Sequence, residues 1–128
     1  MRFRLWDLRS LFPQNPFPQY LDRDNSDWQL TQALIRAIRD ESESHGARFL
    51  LVLLPQREYL NGMYDPVIYQ SLEQFAQRAD IDYINLMPLM RSHRWGDVFY
   101  PEDGHFKPLG ARIAAELIYR KLQNTDDR

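Results

Sequence analysis

Apolar residues recur at helical spacing over about 28–44, where Leu30, Leu34, Ala37 and Ile38 are interleaved with Arg36, Arg39, Asp40 and Glu43. The spacing predicts a helix, capped at its start by Asp27 and stopped at Gly46, since glycine enters the left-handed region cheaply. The pattern then changes. Phe49-Leu50-Leu51-Val52-Leu53-Leu54, within 47–54, does not alternate. A strand with no polar face is buried on both faces, which favours a parallel sheet covered by helices. Pro55 ends it. Asn61-Gly62 marks a turn, and Asp65-Pro66 opens a helix over 67–78 whose inner stripe is Ile68, Leu72, Phe75, Ala76 and Ala79. A second short strand follows at about 82–86, then a mixed turn and helical stretch over 88–95. Pro108 starts a last helix that runs to about Gln123. Leu109, Ile113, Leu117, Ile118 and the stem of Lys121 mark its inner face.

Residues 1–26 read differently. Trp6, Leu8, Leu11, Phe12, Phe17 and Tyr20 are mixed with Pro13, Pro16 and Pro18, which forbid a long helix or a central strand. The chain therefore divides into an irregular N-terminal arm (1–26), an α/β domain (27–123) and a frayed tail (124–128). The expected architecture is a three-layer α/β/α domain with a small parallel sheet and right-handed crossovers. The apolar strand at 49–54 calls for neighbours on both edges. The arm is expected to supply one. A second copy or further polypeptide is expected to supply the other, which predicts a homo-oligomer, in its simplest form a homodimer.

Composition narrows the chemistry. With 128 residues, 44% hydrophobic and 27% charged, the chain fits one packed domain. Sixteen basic and eighteen acidic residues give a net charge of -2 with no basic stripe, so nucleic acid is not an expected partner. There is no cysteine, which excludes disulfides and thiolate catalysis. No apolar run has the length of a membrane span or of a secretory h-region, so no membrane insertion is expected and the compartment stays open.

The candidate chemistry lies just before the last helix, in Tyr100-Pro101-Glu102-Asp103-Gly104-His105-Phe106-Lys107-Pro108-Leu109-Gly110. His105 could take a proton from a hydroxyl nucleophile while Asp103 holds the ring in one tautomer. On spacing alone, a helix-capping role for Asp103 is an equal reading. Arg57 and Glu58 follow a strand's carboxyl end, where open α/β sheets place ligands, though a solvated ion pair has the same signature. His93, Arg94 and Trp95, with Arg91 nearby, could face an anionic or sugar-like ligand, or form an ordinary polar loop with one aromatic anchor. His93, Asp97, Asp103 and His105 match no compact metal motif, and nothing fixes the separation of Asp97, Glu102 and Asp103 for glycosidase work. No cofactor or metal is expected. His45 reads as a helix-end histidine.

From Trp28 onward the chain resembles the SGNH or GDSL-type ester hydrolases. The closest correspondence is the segment from Tyr100 to Gly110, in the manner of relatives that act on polysaccharide acetyl groups. The resemblance implies the C-terminal half of a flavodoxin-like SGNH fold, present here in incomplete form. It implies His105 as catalytic base and Asp103 as its orienting acid. Arg57, His93, Arg94 and Trp95 become candidate substrate contacts, for a small ester or an acetylated saccharide. The family places its nucleophile in a Gly-Asp-Ser segment, which this sequence lacks. Ser10, Ser26, Ser42, Ser44, Ser71 and Ser92 sit in no strand-to-helix elbow. The expectation is a serine ester hydrolase-like domain that is inactive alone and is completed by another segment or chain. The alternative is a non-catalytic assembly or ligand-binding module.

Overall fold

A computed structural model describes residues 13–126. A 3-10 turn at Pro18–Leu21 leads into α1 (Ser26–Ser44). There follow β1 (Leu51–Leu53), α2 (Arg57–Leu60), α3 (Val67–Arg78), β2 (Tyr83–Asn85), α4 (Leu86–Met90), α5 (Trp95–Val98) and α6 (Pro108–Asp126). β1 and β2 pair in parallel, Leu51 opposite Tyr83 and Leu53 opposite Asn85, as a two-stranded sheet. Both strands are shorter than the sequence pattern suggests. A lone two-stranded ladder supports few regular residues.

Layering follows from which way alternate strand residues point. Leu51 and Tyr83 face a cluster of Trp28 from α1, Phe75 and Ala76 from α3, and Ile81 from the turn before β2. Val52 and Ile84 face the other side, against Leu86, Met90, Val98, Phe99 and Ala114, with Ile113, Leu117 and Ile118 of α6. Helices thus cover both faces, and the expected α/β/α arrangement with a small, incomplete parallel sheet is what the chain adopts. Leu53, Tyr59, Tyr69 and Met87 form a third cluster at the carboxyl end of β1.

Several local expectations are corrected. Asn25, not Asp27, caps α1: its Oδ1 accepts from the amides of Asp27 (3.0 Å) and Trp28 (3.2 Å). The Leu30, Leu34, Ile38 stripe points outward, each residue more than half exposed, while Trp28 is buried and Ile35 half-buried. Leu109 of α6 is also exposed. The arm does not extend the sheet within the described residues. Gln14 instead bridges Tyr64, and Tyr20 stacks edge-on against Trp28. The remainder of the arm, residues 1–12, lies outside the described residues. α6 continues to Asp126, past the Gln123 end read from the sequence. Other expectations match the structure: α3 spans Val67–Arg78, and Asp65 Oδ1 accepts from the Val67 amide at 3.0 Å.

Candidate functional site

Residues 98–107 form a tight hairpin-like loop that carries Asp103 and His105. Phe99 and Phe106 make an antiparallel bridge, and their rings stack with centroids 4.8 Å apart. The amides of Tyr100 and Lys107 donate to the carbonyls of His105 and Val98, both at 2.8 Å. At the tip, the Gly104 amide donates to the Tyr100 carbonyl at 3.1 Å, and Gly104 takes φ +72. A residue with a Cβ enters that region only at a cost, so the glycine is what lets the chain double back between the acid and the imidazole. Gly110 secures the other end. A Cβ built there would lie 2.4 Å from the Val98 carbonyl oxygen, so the loop is pressed directly against α6.

Asp103 serves His105 with both oxygens. Oδ1 accepts from the His105 amide at 3.0 Å, and Oδ2 lies 3.2 Å from the ring Nδ1. The carboxylate therefore orients the imidazole and does not cap α6. Donation from the His105 amide, with the ring beside it, holds the Asp103 carboxyl below its ordinary value of 3.8. Nδ1 is turned to Asp103, which leaves Nε2 as the ring nitrogen away from the carboxylate. Both side chains are open to solvent, 82% exposed for His105 and 58% for Asp103.

The other candidates are distributed around this loop. Arg57 opens α2, just past β1. Its Nε and Nη2 donate to Glu58 Oε1 at 3.1 and 2.6 Å, and its Nη1 donates to the Pro101 carbonyl. Burial pushes the Glu58 carboxyl up, but backbone donation and Arg57 pull it down further, to a net lowering. His93, Arg94 and Trp95 line one cleft of about 440 Å³ with Leu60, Gly96 and Asp97. Neither Asp103 nor His105 lines that cleft, and Arg91 lines a different cavity, beside α3. Among the described residues no group of three or more His, Asp or Glu is placed to hold a metal ion.

No serine hydroxyl among the described residues bonds to His105. Ser44 approaches a histidine, but its Oγ (3.1 Å), the Glu41 carbonyl (2.9 Å) and Glu41 Oε1 (3.5 Å) all meet the same Nδ1 of His45. That is a helix-end contact, because a relay uses the two ring nitrogens for two different partners. Lys107 is the residue that sequence reading missed. Its ammonium donates to the Gly96 carbonyl at 2.6 Å and sits 5.8 Å from the Tyr100 ring centroid, tying the dyad loop to the cleft wall. A signal was present: a lysine directly before a helix start opposes the helix dipole and needs a partner elsewhere.

Parallel strands, helices on both faces and an aspartate–histidine pair on the loop before the last helix define an SGNH hydrolase-like domain. The chain belongs to the family described as SGNH hydrolase-like domain, acetyltransferase AlgX, whose model matches residues 11–128. It is similar to the probable alginate O-acetylase AlgJ of Pseudomonas putida, 31% identical over 97 residues, covering 67% of this chain and 25% of that protein. The AlgJ of Pseudomonas syringae pv. tomato is 31% identical over 96 residues, with the same shares covered. The AlgJ of Pseudomonas aeruginosa is 28% identical over 104 residues, 73% of this chain and 26% of that protein. The chain thus spans about a quarter of the length of these curated relatives. No solved structure matches it. Among the described residues no helix is long and apolar enough to cross a membrane.

Proposed function

We propose that residues 27–123, flanked by an N-terminal arm, carry the base half of a serine-dependent ester acyl-transfer centre. One observation carries the reading: Asp103 Oδ2 lies 3.2 Å from His105 Nδ1, leaving Nε2 open. In the reaction His105 Nε2 takes the proton of a serine hydroxyl as its oxygen bonds to the ester carbonyl carbon. The imidazolium, steadied by Asp103, then protonates the leaving alkoxide as the C–O bond breaks, giving an acyl-serine. Water or an acceptor hydroxyl, deprotonated by His105, releases the acyl group and restores the serine. That serine comes from polypeptide outside this chain, in cis or in trans, as does the donor set for the oxyanion.

The names of the relatives favour an acetyl group on a saccharide hydroxyl as the group transferred. The cleft lined by His93, Arg94 and Trp95 is the candidate seat for such a ligand, offering an aromatic face and a cation. In the assembled, serine-containing protein, His105→Ala should lower kcat for acetyl release from p-nitrophenyl acetate by roughly a thousandfold or more. This chain alone should give no serine labelled by a fluorophosphonate. Stoichiometric labelling of one of its own serines, lost in His105→Ala, would overturn the division of the site.

A second reading, an assembly module, is favoured by a separate observation. β1 borders a largely apolar cavity lined by Phe17, Val52, Leu53, Leu54, Ile68 and Leu72, with Gln56, Tyr59 and Tyr69 as its polar members. In this reading a second copy covers the outer edge of β1 and the chain forms a homo-oligomer.

A further inference from the structure

We infer that Arg57 is a positioning residue for the acid–imidazole pair, holding the Pro101–Gly104 turn in the shape that lets Asp103 reach His105. This rests on the proposed role of that pair and assigns Arg57 to a task other than substrate contact.

The guanidinium is already committed. All three of its nitrogens are engaged, two by Glu58 and one by the Pro101 carbonyl. The side chain is only 24% exposed, so it presents little free edge to an anionic ligand. Among the described residues the Pro101 carbonyl accepts no backbone hydrogen bond, and Arg57 is the donor it has. The loop is pinned at its base by Phe99, Tyr100, Phe106 and Lys107, but its tip, Pro101 to Asp103, is exposed. Arg57, at the start of α2, reaches the tip at the Pro101 carbonyl.

Its own anchorage is firm. The Tyr69 hydroxyl donates to the Leu54 carbonyl at 2.9 Å and accepts from the Gln56 amide at 3.2 Å, fixing the chain between β1 and Arg57. A rigid path therefore runs from the strand end through Arg57 to Pro101, two residues before Asp103. Lysine offers one point of donation where the guanidinium offers a planar fork to a carboxylate and a carbonyl together.

The test follows the His105 amide by NMR between pH 2 and 6, because that amide donates to Asp103 and reports its ionisation. His105 is the charged group that acts on Asp103 directly. Glu102 and Lys107 share its loop, and Arg57, paired with Glu58, reaches that loop at the Pro101 carbonyl. In the unaltered chain the Asp103 midpoint should fall below 3.8, in line with the amide donation. Both Arg57→Gln and Arg57→Lys should raise it toward that value and weaken the response of the His105 amide. The lysine variant keeps the charge and loses the fork. A rise in Arg57→Gln alone makes the effect one of charge and overturns the inference, as does no rise in either. If the glutamine variant does not fold, the lysine variant decides by the same criterion. The underlying pair is tested separately: a His105 amide whose acid transition survives in Asp103→Asn means the carboxylate does not serve His105, and the proposed function fails with it.

Discussion

At the scale of single residues, protons and hydrogen bonds set the strengths. Burial raises the Tyr69 phenol to about 12, because its hydroxyl is held inside the cluster beside Tyr59 and Met87. Its folded value is above the unfolded value, so the associated stability is full below about pH 10 and is lost as pH climbs toward 12. Tyr69→Phe removes one donor and one acceptor and leaves the Leu54 carbonyl and Gln56 amide to find water. A loss of about 1–2 kcal/mol is expected at neutral pH, with a flatter stability profile between pH 10 and 12, measured by urea unfolding. Asp103 works in the opposite sense. Its value is lowered in the fold, so its contribution is present above the ordinary carboxylate range and fades as pH falls through the folded value.

At the scale of elements, Gly110 reverses a familiar rule. Alanine in place of glycine within a helix normally stabilises by up to about 1 kcal/mol. In α6 the added methyl would meet the Val98 carbonyl oxygen at 2.4 Å and Phe106 Cδ1 at 2.9 Å, and the first is backbone that cannot turn aside. Gly110→Ala should therefore destabilise by about 1–3 kcal/mol, the cost of forcing atoms into a filled space. The thermal midpoint should drop, where an open helix position would show a rise. Much at this scale was legible in the sequence. Asp65-Pro66 announced α3, and its stripe of Ile68, Leu72, Phe75 and Ala76 packs as the spacing implies. Spacing alone left Asp103 and His105 as a pair or a helix cap, the resemblance of the Tyr100–Gly110 segment favoured the pair, and the contact between them awaited the loop geometry. The Lys107–Gly96 and Arg57–Pro101 ties were not legible, since each joins a side chain to a backbone carbonyl that no residue type advertises. Periodicity found α1 but could not say which apolar stripe turns inward. Trp28 and Ile35 took the inner face, and Arg36 lays its guanidinium 5.3 Å from the Phe75 ring centroid.

At the scale of the whole molecule, the two edges of the sheet differ in kind. The cavity beside β2, about 730 Å³, is lined by Glu73, Gln77, Asp80, Asp82, Lys121 and Asn124 as well as by the strand. Lys121 pairs with Asp82 at 2.5 Å there. Charge of this kind is how natural sheets protect a true edge. The cavity beside β1 is lined by no charged side chain among the described residues, and Leu54, the residue after β1, is half exposed there. Chain handedness points the same way. α1 and α3 share one face of the sheet, joined through Trp28 and Phe75 with ring centroids 5.9 Å apart. If crossovers are right-handed, a strand leading into α1 lies beyond β1, on the side away from β2. Right-handed crossovers thus place any extension of the sheet at β1, and in the assembly reading a second copy covers that edge. Sedimentation over a hundredfold range of concentration should show self-association. Leu54→Lys, which places a guarding charge on that edge, should weaken it at least tenfold while circular dichroism stays unchanged. A monomer at every concentration, or a Leu54→Lys dimer as tight as the parent, would remove β1 as the joining edge and the assembly reading with it.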